Sequence, residues 1–390
     1  MRKEINEFLS QFDLDVRKSK NARFVDQKCT PDIICFMADC VLNMIATKPT
    51  FVIKDIWETQ YFIQNCRVIF NKPWANDKKA YSEYNKVLSQ PLKLLAYARI
   101  LNVEKIKGTL TFSVNNENLL DFISRKDRNA YNFLYCYFTK VLNDSGFLKN
   151  IETYKTDHKK DLIEARDTVY EKYFRFISGN TPTHSRLDIR RMFHKVINIF
   201  AVEYNIPGSS GKFSATYSEM MYNKKNWRDL DKEKSVTRQE AFTEEDEEKQ
   251  EVLNAYYVQK AISIIRKIHK ESEVKDQWGN GEATQVHHIF SRSKFPELAH
   301  YVENLILLTA TQHNTKAHPS NKTQQINKDY QLTCLLAKSD SIETSMKKGE
   351  FVYRKESFIL VVNTGLTENL NYTIDFKTIK KELTRIYNAA

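Results

Sequence analysis

The chain has 390 residues, of which 41% are hydrophobic and 12% aromatic, and its formal net charge is +11. This composition predicts a folded protein of two or three domains, since single hydrophobic cores rarely grow beyond about 250 residues. No run approaches the roughly 20 apolar residues that cross a bilayer, and the N-terminus lacks the apolar block of a secretory signal. We therefore expect a soluble, cytoplasmic protein with no membrane partner.

Six cysteines occur without any CxxC pair, and most of them stand in apolar stretches. This predicts buried, reduced thiols rather than disulfides or a zinc knuckle. The positive net charge favours a polyanionic partner, with nucleic acid first, although charge alone indicates association and not chemistry.

The first 125 residues predict helices followed by a hairpin. Residues 1–28 have the pattern of a short amphipathic helix and a basic arm, and Thr30 with Pro31 marks a helix start. The further elements expected in residues 29–125 are helices at 33–45, 51–63 and 80–101 (with a kink or break at Pro91), two strands within 103–115 about the turn at Lys107 and Gly108, and a helix at 117–124.

This order of helices and a basic hairpin resembles a winged-helix DNA-binding domain. The resemblance implies that one helix lies in the major groove and that the hairpin, with Lys105 and Lys107 near its tip, touches backbone phosphate. An ordinary α+β packing domain without a ligand is the alternative, because no residue in the segment is diagnostic.

Residues 126–206 predict a domain of long, aromatic-rich helices. One of these helices carries Arg186, Arg190 and Arg191, which are candidate nucleic-acid contacts, although a solvated helix face explains them nearly as well. The breaker cluster at residues 207–211 predicts a boundary. Residues 207–275 then form a linker and a helical lead-in, with an amphipathic helix at 253–269.

Four of the nine histidines lie between residues 285 and 319. Residues 284–290 predict a strand on which His287 and His288 point to opposite sides. After a loop, Asn304 precedes a second predicted strand at 305–309, and residues 312–318 with His313 predict a short helical segment stopped by Pro319.

These residues resemble the HNH, or ββα-metal, nuclease family. The match consists of His287-His288 at the end of the first strand, Asn304 opening the second, and His313 on the helix. Thr309 and Gln312 stand where many members carry structural zinc cysteines, so no structural zinc is expected.

The resemblance implies a role for each of these residues. His288 would be the general base, with Asn304 as the other catalytic position, fixing the loop and the orientation of the imidazole. His287 and His313 would hold one divalent metal ion, Mg²⁺ or Mn²⁺, although imidazoles suit several transition metals as well.

His318 is a third candidate metal ligand or a phosphate contact. It lies about 140° round an α-helix from His313, so it joins the site only if the helix unwinds. Arg292, Lys294 and Lys316 are candidate phosphate contacts.

The HNH module is expected at residues 276–330, followed by a C-terminal α/β extension at 331–390. In this part of the chain, residues 326–337 are expected to be helical, 351–363 have the pattern of strands, and the last residues form a basic helix.

The overall expectation is an α+β, mainly α protein with a helical, winged-helix-like N-terminal recognition region and an HNH catalytic module near the C-terminus. Its predicted function is sequence-specific cleavage of double-stranded DNA by a one-metal mechanism, leaving 5′-phosphate and 3′-hydroxyl ends. The type II restriction class is favoured because some 250 residues precede the module, which is room for base readout. A palindromic target would favour a homodimer.

Alternatives remain open at this point. Within the same chemistry they are a homing, modification-dependent or other defence nuclease. From another class, the alternative is a DNA-binding regulator with an inactive HNH module, and action on RNA is a third.

Overall fold

The computed structural model describes residues 2–70, 80–208, 220–222, 244–318, 327–350 and 352–389. The chain divides into two compact units, Arg2–Glu247 and Glu248–Ala390. The described residues are mainly helical and contain two small sheets, which agrees with the predicted α+β, mainly α class. In these ranges we find no helix with the length and apolar character that a membrane crossing requires.

The N-terminal unit consists of helices around one three-stranded sheet in its described part. Its helices are α1 (Arg2–Ser10), α2 (Val16–Ser19), α3 (Pro31–Ile45), α4 (Ile53–Trp57), α5 (Gln60–Phe70), α6 (Tyr81–Tyr97), α7 (Glu117–Arg125), α8 (Asp127–Asp144), α9 (Leu148–Asp157), α10 (Leu162–Asn180) and α11 (Arg186–Tyr204), and its strands are β1 (Thr50–Val52), β2 (Leu101–Ile106) and β3 (Thr109–Val114).

Helix α3 lies at the centre of this unit and packs against α6, α7 and α8. It begins as predicted, with Thr30 at the N-cap and Pro31 in the first turn, where the missing N–H leaves no bond unmade. Most of its side chains are buried, including Cys35 and Cys40. All six cysteines of the chain are buried thiols outside any disulfide, as the sequence predicted.

The three strands form an antiparallel sheet in the order β1-β3-β2. The predicted hairpin is confirmed: β2 and β3 are joined at Lys107 and Gly108, whose φ angles are 48° and 85°. Positive φ at both central residues is the type I′ geometry that matches strand twist. The rings of Phe51 and Phe112 stack 5.9 Å apart on the buried face and join β1 to β3.

Two sequence predictions in this region were correct only in part. Most of the expected helix 51–63 is helical, as α4 and α5, but Phe51 lies in strand β1, where its ring stacks on Phe112. Helix α6 was expected to kink or break at Pro91, and it does not end there but continues to Tyr97. A proline inside a helix costs about 3 kcal/mol, but Leu88 and Leu92 on either side are fully buried in the same core and offset it.

The C-terminal unit packs helices around a two-stranded antiparallel sheet. Its elements are α12 (Glu244–Ile268), which begins in the N-terminal unit, β4 (Ala283–His288), β5 (Leu305–Thr309), the π-helical segment Gln312–Ala317, α13 (Lys328–Lys347), α14 (Lys355–Leu366) and α15 (Phe376–Ala389). The predicted bounds of β5 are confirmed, and both strands and the closing helix lie where the sequence placed them.

The strands predicted at residues 351–363 are absent from the described part of that range, 352–363, because the chain from Lys355 onward forms helix α14 instead. Its apolar residues include Phe358, Ile359 and Val362, which are buried in the core of the unit. A helix buried on most sides shows an unbroken apolar run, which periodicity alone cannot distinguish from a buried strand. Gly365 lets α14 approach the segment that follows β4, since a Cβ there would lie 2.4 Å from the ring of Phe290.

A buried ion pair joins α13 to strand β5. Lys338 Nζ donates to Glu273 Oε2 at 2.9 Å and to Tyr353 Oη at 3.0 Å. Glu273 in turn accepts the N–H of Leu307 at 2.8 Å, and its own N–H donates to the Leu307 carbonyl at 3.0 Å. Burial lowers the pKa of Lys338, while Glu273 opposes that shift. The pair therefore holds strand β5 in place at Leu307.

We expect Lys338→Met to lower the free energy of unfolding of the C-terminal unit by about 3–5 kcal/mol in urea denaturation, because it leaves the Glu273 carboxylate buried and unpaired. The matched control is Lys347→Met on the same helix. Its partner Glu343 lies at 2.7 Å, but the lysine is exposed, so the loss should stay below about 0.5 kcal/mol. Equal losses in the two variants would contradict the role given to the buried pair.

Candidate metal centre

Strand β4 ends in two histidines that point to opposite faces of the sheet. It pairs with β5 so that His287 lies opposite Ile306 and His288 opposite Leu305. His287 is buried and His288 is half-buried. The alternation that the sequence predicted therefore separates two imidazoles that are adjacent in the chain.

The segment that follows β5 is a π-helix, and this decides the position of His318. The N–H of His318 donates to the carbonyl of His313 at 3.1 Å, which is an i→i+5 bond. The sequence prediction required the helix to unwind before His318 could reach the site, whereas the structure widens the turn instead. A π-helical turn brings residues i and i+5 onto one face, and such turns are frequent at functional sites.

The three side chains His287, His313 and His318 converge. Their candidate ligand atoms all lie within 4.8 Å of one another, and their ring centroids are 4.8–5.4 Å apart. Two nitrogens bound to one ion at about 2.1 Å are at most about 4.2 Å apart. Small side-chain rotations would close the difference, so the donor set fits one metal ion.

The protonation of the cluster suits metal binding. Burial, followed by the neighbouring His318 and His313, lowers the pKa of His287 well below its usual value, so the ring is neutral near pH 7. His313 Nδ1 lies 2.8 Å from Asn314 Oδ1. When Nδ1 donates that bond, Nε2 keeps its lone pair for a metal ion.

His288 faces the loop between the two strands. Its Nε2 lies 3.0 Å from the carbonyl oxygen of Ala299, to which the N–H donates, and this leaves Nδ1 as an acceptor. Burial lowers the pKa of His288, and Arg292 adds to that shift, while the bond to Ala299 opposes it. The imidazole is therefore fixed in orientation and available as a base.

Asn304 fixes the loop that carries this carbonyl. Its side chain is fully buried, with Oδ1 accepting the N–H of Phe290 at 2.8 Å and Nδ2 donating to the carbonyls of Phe290 at 3.0 Å and Leu298 at 3.1 Å. Leu298 precedes Ala299, so Asn304 positions His288 through the backbone on both sides of the loop.

The fully buried amide of Gln312 is a hydrogen-bond hub that the sequence did not reveal. Its Oε1 accepts from Ser272 Oγ at 2.5 Å and from the N–H of Thr309 at 3.0 Å, and its Nε2 donates to the Val274 carbonyl at 2.9 Å and to Asp276 Oδ1 at 2.8 Å. In the sequence, Gln312 stands next to His313 and, with Thr309, at the positions where the HNH resemblance has structural zinc cysteines. Its partners at 272–276 lie almost 40 positions away and left no signal.

The other candidate contacts to nucleic acid are divided between the two units. Arg292 and Lys294 are exposed on the loop after β4, and Lys316 lies on the π-helical segment with Nζ 4.5 Å from the ring centroid of Trp278. Lys105 and Lys107 are exposed on the hairpin of the N-terminal unit, which holds no ligand of the histidine cluster.

The three arginines of α11 are exposed but differ in their surroundings. Arg186 pairs with Glu171 at 2.7 Å, Arg191 lies 3.5 Å from Asp188, and Arg190 lies over the ring of Tyr170. The pairing of Arg186 favours the solvated-face interpretation at that position.

Comparison of the chain with protein-family models, with curated proteins and with solved structures found no match.

We expect His318→Ala to weaken binding of Mn²⁺ by about 100-fold or more in titration calorimetry, since the loss of a direct ligand should exceed the 10–100-fold effect of losing an outer partner. His184→Ala, an exposed histidine of the N-terminal unit, is the control and should bind as the wild type does. Unchanged affinity in His318→Ala would remove His318 from the ligand set.

Proposed function

We propose that the chain is an HNH-type endonuclease that hydrolyses phosphodiester bonds of double-stranded DNA, leaving 5′-phosphate and 3′-hydroxyl ends. One observation carries the proposal: the end of a single strand sends His287 into a three-histidine cluster and His288 to the opposite face, where a backbone carbonyl orients it. This gives a candidate metal centre and a separate candidate base in one small element.

His287, His313 and His318 would hold the divalent ion. When bound, the ion would stabilise negative charge on the scissile phosphate and on the leaving oxygen. The donor set consists of imidazoles, whereas Mg²⁺ prefers oxygen ligands. Of the two ions expected from the sequence, we therefore favour Mn²⁺.

His288 would act as the general base. Its Nε2–H donates to the Ala299 carbonyl, so Nδ1 is the atom that accepts the proton from the attacking water. The lowered pKa keeps that nitrogen unprotonated at neutral pH. Asn304 would serve as a positioning residue, because its bonds hold the loop on which the Ala299 carbonyl lies.

We expect His288→Ala to reduce DNA cleavage by about 100-fold or more, in line with the contribution of a general base, while Mn²⁺ affinity and DNA binding stay within about two-fold of the wild type. Cleavage is measured on a mixed-sequence plasmid with Mn²⁺, and binding on the same DNA with EDTA. His300→Ala, an exposed neighbour on the loop, is the control. Cleavage by His288→Ala at the wild-type rate would reject the nuclease assignment given to this site.

We further propose that the N-terminal unit reads the DNA sequence as a winged-helix domain. The order of its elements supports this: helix α3, strand β1, helices α4 to α6, and then the β2–β3 hairpin, with β3 in the middle of the sheet. Recognition by some 250 residues outside the histidine module fits a sequence-specific, type II restriction enzyme better than a nonspecific nuclease.

Within this unit, α6 is the candidate for the helix in the major groove. Ser82, Asn85 and Lys86 are exposed and Ser89 and Lys93 are half-buried, and all five fall on one helical stripe about 100° wide. Their side chains are hydrogen-bonding groups without an acid among them, and Asn can bond adenine by two hydrogen bonds. The exposed Lys105 and Lys107 of the hairpin suit phosphate.

We expect two variants of this surface to behave differently in DNA binding. Asn85→Ala should lose about 1–3 kcal/mol of discrimination at one base pair of the target, and Lys105→Ala should weaken all sequences alike and lower the salt slope by about one. The measurement is selection from random DNA followed by salt titration. Lys54→Ala, an exposed lysine of α4 paired with Glu58, is the control. Unchanged preference in Asn85→Ala would exclude Asn85 from base readout.

A further inference from the structure

Trp278 is a large aromatic side chain that remains 40% exposed on the turn before β4. Single exposed hydrophobic residues are common on protein surfaces, so exposure alone assigns it no function. Three further observations bear on its function: the hydrogen bonds of its backbone, the lysine that contacts its ring, and the segment on which that lysine lies.

The turn is fixed to the elements that carry the cluster. The N–H of Trp278 donates to Asp276 Oδ1 at 2.9 Å, and its carbonyl accepts from Thr309 Oγ1 at 2.9 Å. Asp276 Oδ1 also accepts from Gln312 Nε2 at 2.8 Å. Gly279 allows this closeness, since a Cβ there would lie 2.6 Å from the Val274 carbonyl. The backbone of Trp278 is therefore hydrogen-bonded to Thr309 at the end of β5. Through Asp276 it is also linked to Gln312, the residue before His313.

Lys316 lies on one face of the indole. Its Nζ is 4.5 Å from the ring centroid, which is within the range of a cation–π contact. Lys316 stands on the π-helical segment between His313 and His318. The contact thus fixes a positive charge and an aromatic surface together, and the charge lies on the chain segment between two of the three candidate metal ligands.

An ammonium group and an exposed aromatic ring are complementary to two different parts of one ligand. The ammonium suits the phosphates of a nucleic-acid strand, while the ring suits a sugar of a duplex strand or a base that is unstacked at the site, and aromatic contacts tolerate any base. We propose that Trp278, together with Lys316, is a positioning contact for the nucleic-acid strand next to the bond to be cleaved. This inference rests on the proposed nuclease function and adds a residue that holds the substrate without taking part in the proton transfer.

The test compares Trp278→Ala with Trp278→Phe in the full chain. Removal of one stacked base corresponds to a loss of roughly 5- to 150-fold in binding. We expect Trp278→Ala to raise KM for plasmid cleavage about ten-fold with kcat unchanged, and Trp278→Phe to restore KM to within about three-fold. Tyr372→Ala, which removes an equally exposed ring (44%) of the same unit, should leave KM unchanged.

Two further measurements separate this contact from a structural role. Calorimetry with Mn²⁺ should give the same affinity in Trp278→Ala and wild type, and fluorescence anisotropy with a short DNA duplex in EDTA should show the same ten-fold loss of binding without cleavage. Wild-type KM in Trp278→Ala, or a loss of Mn²⁺ affinity, would overturn the proposal.

The same experiments distinguish the failure of this inference from that of the proposed function. If the wild type cleaves, His288→Ala does not, and Trp278→Ala matches the wild type in KM and binding, only the role of Trp278 fails. If the wild type neither cleaves nor binds the duplex, the nuclease function fails and the role of Trp278 fails with it.

Discussion

The buried amide of Gln312 is the contact on which the geometry of the candidate metal centre depends. Gln312 is the first residue of the π-helical segment. Its amide bonds both the chain at 272–276 and Thr309 at the end of β5. Leaving one such buried polar group without its partner costs about 1–3 kcal/mol, and this side chain satisfies several at once. Because His313 follows directly in the chain, its position is set by this network of hydrogen bonds.

The second constraint is the alternation of side chains along β4. Its register with β5 is fixed by the buried run that includes Leu305, Ile306 and Leu307. A shift by one residue would exchange the faces of His287 and His288. The cluster would then lose the imidazole of His287, and the loop would lose its contact with the imidazole of His288. The register therefore keeps the two proposed tasks, holding an ion and accepting a proton, on separate sides of one strand. The buried pair of Lys338 and Glu273 supports the partner strand β5, where Glu273 accepts the N–H of Leu307.

Those parts of the fold that follow local rules were predictable from the sequence. The hairpin at Lys107 and Gly108 follows from turn chemistry, and the bounds of β5 follow from a short β-branched and leucine run. Helix α14 was not predictable, because burial on most sides removes the periodicity that marks a helix. The continuity of α6 at Pro91 likewise depends on packing against distant residues.

The candidate site shows the same division. His287, His288, Asn304 and His313 could be named because each is placed by its own strand or turn. His318 could be named but not placed, since α-helical spacing puts it about 140° from His313 and only the widened turn brings the two together. The distant partners of Gln312 could not be found, because nothing in the sequence near 272–276 indicates a contact with residues almost 40 positions later.

The composition of the cluster also bears on its partner. Imidazole ligands contribute no negative charge, so an ion bound by His287, His313 and His318 would keep its full positive charge, and the segment that follows β5 also carries Lys316. A ligand set with carboxylates would have neutralised part of that charge. A phosphodiester would supply a negative oxygen to balance it. The absence of an acidic ligand among the clustered side chains of the described residues therefore strengthens the preference for an anionic substrate that the net charge of +11 first suggested.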